Sequence, residues 1–162
     1  MAETSSILIA WHSRTGASES LARAAAEGTG NMGRLLRASA VQPEDLLAAS
    51  AYVFACPENL ATMSGEMKEM FDRCYYPVLG KLEGRPYATL IAAGSDGEGA
   101  QRQLDRIATG WRLRRITEPL IANTDAQTPE RIYAPKHLDS AVIRKARDIG
   151  QGLAEGLAQG IF

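Results

Sequence analysis

Three stretches of the chain, SILIAW (6–11), AYVFAC (51–56) and YATLIAAG (87–94), run almost without a polar residue. That narrows the fold more than any other feature, because strands covered on both faces read this way whereas a strand with one wet face alternates. Two further segments, GRLLRASA (33–40) and RITEPLIAN (115–123), are broken by charge or by Pro119. A proline inside a strand belongs at a sheet edge. The pattern predicts three inner strands and two outer ones.

Amphipathic segments separate these strands. Residues 17–28 are rich in alanine, 64–76 carry Met67, Met70, Phe71 and Cys74 on one stripe, and 99–113 carry Leu104 and Ile107. A last helix is expected over 138–159, where Leu138, Val142, Ile149, Leu153 and Leu157 recur at helical spacing. Its Gly152, Gly156 and Gly160 read as points of close packing on the sheet, since a stripe of small residues signals helix pairing mainly in membranes. Only 123–135 reads as a long loop. Strand and helix alternate, and inner strands 1, 3 and 4 with outer strands 2 and 5 fit an α/β fold with a five-stranded parallel sheet in the order 2-1-3-4-5. A length of 162 residues with 45% apolar content suffices for one buried core, so 1–162 is expected to form a single domain.

Composition removes several classes of function. A formal charge of −1 gives no pull toward nucleic acid or an anionic membrane. The start MAETSS is acidic where a secretion signal would be basic, and SILIAW is too short to cross a bilayer, so a cytoplasmic protein is expected. Cys56 and Cys74 have no CxxC or Cys/His spacing and read as buried thiols rather than metal ligands. A phosphatase loop built on Cys56 would need an arginine where Thr62 stands.

Ligands of such sheets bind beyond the carboxyl ends of the strands, where the order switches between strands 1 and 3. The stretch HSRTGAS (12–18) lies there. A strand-to-helix turn aims backbone N–H groups and a helix N-terminus at one point, Ser13, Thr15 and Ser18 add hydroxyls, and Gly16 permits close approach of the backbone. Arg14 adds a charge. Such a turn suits a phosphate monoester. Nucleotide motifs do not fit: no GxxxxGK is present, and GSDGEG (94–99) has neither the GxGxxG spacing nor a place after the first strand. A second loop, PENLATMSGEMKEMFDR (57–73), enters a helix at Ser64, a candidate N-cap, and a third, AGSDGEG (93–99), is rich in glycine. All three converge on one edge of the sheet.

SRTGAS, ACPENLATMSGEMKEMFDR and GRPYATLIAAGSDGEG, taken together, resemble the flavodoxin-like superfamily. They are most similar to its tryptophan-repressor-binding-protein type NAD(P)H:quinone reductases and related short FMN proteins. The resemblance implies a flavodoxin-like three-layer sandwich that binds FMN. Ser13, Arg14, Thr15, Gly16, Ala17 and Ser18 would hold the phosphate. Pro57, Glu58, Asn59, Leu60, Ala61, Thr62 and Met63, with Gly94, Ser95, Asp96 and Gly97, would contact the ribityl chain and the ring. Asn59 and Leu60 stand where such relatives usually carry an aromatic pair, which weakens ring stacking. Ala61 replaces a usual glycine, and the Glu58 carboxylate beside a ring that becomes anionic would make reduction harder.

The implied activity is electron transfer from NAD(P)H to a quinone or similar small acceptor. The cofactor does the chemistry, so no acid/base residue is required and none is assigned as catalytic; no metal is expected. Homo-oligomers are common among such relatives. The alternatives are a flavodoxin-type electron carrier, against which the near-neutral charge argues, and a flavodoxin-fold protein with weak or lost FMN binding. Trp11 and Tyr87 read as core aromatics before ring partners, His12 as a scaffold histidine, Tyr133 and His137 as surface residues near the site, and WRLRR (111–115) as a solvated basic helix end.

Overall fold

The structure, a computed structural model, describes residues 4–162. Met1, Ala2 and Glu3, which contribute to the reading of the N-terminus, lie outside the described residues. The elements follow in the order β1 (Ile7–Trp11), α1 (Ala17–Gly28), β2 (Gly33–Arg37), α2 (Pro43–Ala48), β3 (Ala51–Asn59), β4 (Thr62–Met63), α3 (Gly65–Val78), β5 (Pro86–Ala93), α4 (Glu98–Gly110), β6 (Arg114–Arg115), β7 (Leu120–Asn123), α5 (Pro129–Tyr133) and α6 (Ser140–Ala158).

The parallel sheet runs β2-β1-β3-β5, and both β6 and β7 then pair with β5. β6 lies beside Pro86 and Tyr87, β7 beside Leu90 to Ala93. Together they are the expected fifth strand in two pieces. The ladder lapses just before Pro119, which has no N–H to donate. The order 2-1-3-4-5 therefore holds with a broken edge. β4, which sequence patterning did not anticipate, folds back antiparallel on the end of β3.

Each continuous apolar run divides by parity between two cores, as period-two side chains of a doubly covered sheet must. Leu8 and Ala10 of β1, with Tyr52, Phe54 and Cys56 of β3, face α3 and α4. Ile7, Ile9 and Trp11, with Val53 and Ala55, face α1 and α6. On the first side the Phe71 ring sits edge-on to Phe54 at 5.0 Å and to Trp111 at 5.2 Å. Each such aromatic burial contributes about 1.5–3 kcal/mol. The Cys56 thiol lies inside this layer, and its burial pushes its pKa up to about 12. Burial also raises the Cys74 thiol. Both cysteines are free and buried.

On the opposite face α1 and α6 meet backbone to backbone. A Cβ at Gly28 would stand 2.0 Å from the Arg147 carbonyl oxygen, and one at Gly150 would stand 2.0 Å from that of Ala25. This close approach is between helices rather than against the sheet. The expected stripe of glycines differs accordingly: Gly156 makes room for the Phe162 ring, Gly152 faces open space and Gly160 sits at φ 67 just past the helix. WRLRR is likewise not a solvated helix end. Trp111 is buried, Arg112 turns the chain at φ 60, and Arg114 and Arg115 form β6, where Arg115 donates to Asp105 at 2.9 Å. Among the described residues no helix is long and apolar enough to cross a membrane.

Candidate functional site

At the carboxyl ends of β1 and β3 the chain opens a cavity of about 530 Å³, within the range of ligand sites. One end is the β1–α1 turn. Gly16 is the N-cap of α1 at φ 105, a backbone state that L side chains rarely adopt. Its amide donates to Ser13 Oγ at 3.0 Å, closing the turn. The amides of Ala17, Ser18 and Glu19 have no acceptor within the helix, as at any helix start. Ser18 is 1% exposed, and its Oγ is the buried side-chain oxygen or nitrogen that lacks a partner among the described residues. A buried hydroxyl left this way is a few kcal/mol short of satisfied. With Ser13, Arg14, Thr15 and Ala17 it lines the cavity. This end suits a phosphate: free amides, an orphaned hydroxyl and an exposed arginine converge there.

The other end is the β3–β4 hairpin. Glu58 faces Met63 and Asn59 faces Thr62, which leaves Leu60 and Ala61 as a two-residue turn. Both have positive φ, 53 and 65. Such a turn favours Asn-Gly, so leucine and alanine here are strained. The Leu60 side chain is 99% exposed at the cavity edge. Two long-range ties hold the hairpin down. Glu58 accepts from the amides of Gly97 and Ala100, both at 2.9 Å, and Gln103 Oε1 accepts from the Met63 amide at 2.8 Å. The Glu58 carboxylate thus spends its charge on the start of α4, a favourable place for an anion. Gly99 is needed beneath it, since a Cβ there would lie 2.1 Å from the Ala61 carbonyl oxygen.

Pro57, Glu58, Asn59 and Leu60 line the cavity together with Gly94. Gly16, Ala61, Thr62, Met63, Ser95, Asp96 and Gly97 do not reach its wall. Thr62 Oγ1 turns back to the Asn59 and Met63 carbonyls, Met63 is buried, and the Gly97 amide is taken by Glu58. In their place comes the segment after β7. Thr124, Ala126, Ile132, Tyr133 and Lys136 complete the wall, with Ile132 and Tyr133 51% and 80% exposed at the mouth. The sequence reading placed Tyr133 near the site and did not single out Lys136. No local signal marks that lysine, since it reaches the first loop across 121 residues of chain.

His12 is a scaffold residue. Its Nδ1 lies 2.7 Å from Ser64 Oγ and its Nε2 lies 3.9 Å from Glu66. Ser64 precedes α3 without capping it through its side chain, its hydroxyl being engaged by His12 instead. Burial lowers the pKa of His12, with Arg37 and Arg14 adding to the effect and Glu66 opposing it. Trp11 is buried beneath the Arg37 guanidinium, 5.3 Å from the ring centre. Tyr87, near the opposite end of β5, donates to Asp105 at 2.8 Å. Neither aromatic lines the cavity. His137 lines a neighbouring one of about 470 Å³ with Arg131 and Asp139.

Known structures share this architecture along nearly the whole chain. A WrbA-like flavodoxin from Agrobacterium tumefaciens superposes with a TM-score of 0.78 at 18% identity, over 96% of this chain and 99% of that one. A flavodoxin from the domain Archaea gives 0.76 at 13%, over 94% and 99%. The two-electron reduced flavodoxin of Megasphaera elsdenii gives 0.68 at 14%, over 92% and 98%. No curated protein matches the sequence significantly. The family model of the NADPH-dependent FMN reductases matches residues 40–126, from the approach to β3 through the hairpin and the third loop into the segment after β7. With that match spanning more than half of its length on a flavodoxin-like fold, the chain belongs to the NADPH-dependent FMN reductase family.

Proposed function

We propose that residues 1–162 act as one FMN-binding unit in the cytoplasm, passing electrons from NAD(P)H to a quinone or similar small acceptor. The coarser part follows from the family: the chain is an FMN-binding flavoprotein oxidoreductase. The observation that carries the site is the polarity of the cavity. One end has helix-start amides and a Ser18 hydroxyl unpartnered among the described residues, and the rim carries the exposed apolar side chains of Leu60, Ile132 and Tyr133. A phosphate at that end and a planar ring toward the rim match that polarity.

When bound, FMN supplies two-electron chemistry, accepting a hydride and returning the electrons to an acceptor. The protein's residues position and shield. The α1 N-terminus neutralises the phosphate. Pro57 and Asn59 form one wall, Gly94 leaves room for the segment after β7 to press on the third loop, and the exposed Leu60 and Tyr133 flank a mouth open to a second planar molecule. The Glu58 carboxylate, held by two amides of α4, braces the wall.

The test is an FMN titration followed by flavin fluorescence quenching, and then NADPH oxidation in the presence of a quinone. One FMN per chain and direct NADPH-quinone turnover are expected. A folded protein that binds no FMN would overturn the site. FMN binding with electrons delivered only to protein partners would overturn the acceptor assignment in favour of a carrier.

A further inference from the structure

The segment 124–139 is laid across both ends of the cavity. The Ala126 carbonyl oxygen would be 2.7 Å from a Cβ at Gly94, so the segment presses on the third loop. At the other end the Lys136 amide donates to the Thr15 carbonyl at 2.8 Å, and Lys136 Nζ donates to Thr15 Oγ1 at 3.2 Å. The ammonium is also held by the Ala134 carbonyl at 2.6 Å and the Ile132 carbonyl at 3.0 Å, which aim it at the β1–α1 turn. These three acceptors are neutral. None of the ion pairs among the described residues involves Lys136. A partly buried cation without a counter-charge among the described residues thus lines the same cavity as the Ser18 hydroxyl, which those residues also leave unpartnered.

We propose that Lys136 is the cation of the phosphate site, delivered from the far end of the chain, and that it makes this protein select a phosphorylated flavin over an unphosphorylated one. The inference rests on the FMN reading given above. Hydroxyls and helix amides alone bind a phosphate through dipoles, whereas an ammonium that stays on the Ile132 and Ala134 carbonyls and turns its third, longest bond from Thr15 Oγ1 to the phosphate adds a charge-assisted bond that riboflavin, lacking the phosphate, cannot use. Arg14 lines the cavity as well but is exposed and makes no protein hydrogen bond among the described residues, so it contributes through a screened field. Lys136 is the pre-oriented partner. Its backbone bond to Thr15 would survive replacement of the side chain, which separates the charge from the anchoring of the segment.

The experiment compares FMN and riboflavin titrations, read by flavin fluorescence, for the wild type, Lys136→Met and Lys136→Arg, with thermal melts of the flavin-free proteins as folding controls. The expected result is that Lys136→Met weakens FMN about tenfold to a hundredfold, leaves riboflavin unchanged and flattens the salt dependence of FMN binding, while Lys136→Arg restores most of the loss. Inorganic phosphate should compete with FMN in the wild type and require higher concentrations in Lys136→Met. Equal weakening of both flavins would make Lys136 a structural anchor, and unchanged FMN affinity would make it a bystander; either result overturns the proposal alone. A wild-type protein that binds neither flavin would overturn the FMN reading and this inference with it.

Discussion

The two ends of the cavity solve opposite problems. The β1–α1 turn places its positive φ on a glycine, Gly16, and leaves a buried hydroxyl and the first amides of a helix without partners among the described residues. The β3–β4 hairpin places its positive φ on Leu60 and Ala61 and ties its Glu58 carboxylate and Met63 amide to α4. The first region is relaxed in backbone and incomplete in bonding. The second is strained in backbone and bonded to α4. A ligand therefore gains directed bonds at the phosphate end and mainly apolar contact at the ring end, so affinity and selectivity should reside in the first.

The largest departure is expected from Gly16→Asp. Placing a carboxylate in the anion cradle should weaken FMN about a hundredfold or more. Gly16→Ala shares the backbone strain without the charge, and a Cβ there has room, its nearest neighbour being the Lys136 carbonyl oxygen at 3.8 Å. It should therefore retain much of the binding, and equal losses in the two variants would assign the effect to backbone rather than charge.

Glu58→Ala should act the other way, on stability. It orphans the Gly97 and Ala100 amides and should lower the urea-unfolding free energy by about 1.5–3 kcal/mol. FMN affinity should fall far less than in Gly16→Asp. A ring end that governed affinity would reverse that order.

His12 ties the two ends, joining the first loop to Ser64 below the second. Its pKa lies below 6.5 in the folded protein, so above 6.5 the ring is neutral in both states and the stability is fully present. As pH falls below 6.5 the unfolded chain takes up a proton that the native ring still refuses, and stability is lost, at no more than about 1.4 kcal/mol per pH unit. Urea midpoints between pH 7 and about 5.5 should show this slope in the wild type and not in His12→Gln. A slope that persists in the variant would place its origin elsewhere.

The smallest effect is that of Ala61→Gly. Relief of a left-handed alanine, offset by glycine's greater freedom when unfolded, should stabilise the protein by about 0.5–1 kcal/mol. A destabilised variant would show that the hairpin is not strained.

The same contrast decides what was legible in the sequence. The parallel sheet was readable because unbroken apolar runs belong to doubly covered strands, and Pro119 marked the edge even though its interruption of the fifth strand was not foreseen. The β1–α1 turn, the proposed phosphate end, stood out because amides, hydroxyls and glycine lie within seven consecutive residues, 12–18. The ring end was not. Glu58 appears in the sequence as a charge beside the cofactor, and only the fold shows its carboxylate turned to amides 39 and 42 residues away. Ser64 reads as a cap because capping is local, and its bond to His12 spans 52 residues. Lys136 stands in a segment with neither helical nor strand period.

The backbone-to-backbone seam between α1 and α6 has a consequence for biosynthesis. α1 begins at the β1–α1 turn, yet the lysine that reaches Thr15 is translated 121 residues later, and the helix that packs on α1 later still. At roughly 5–20 residues per second, the 121 residues separating Thr15 from Lys136 take on the order of ten seconds to emerge from the ribosome. Throughout that interval the nascent chain carries an open, half-built cradle. If Lys136 holds the phosphate, FMN is expected to load only after residue 136 has emerged rather than to seed the folding of α1.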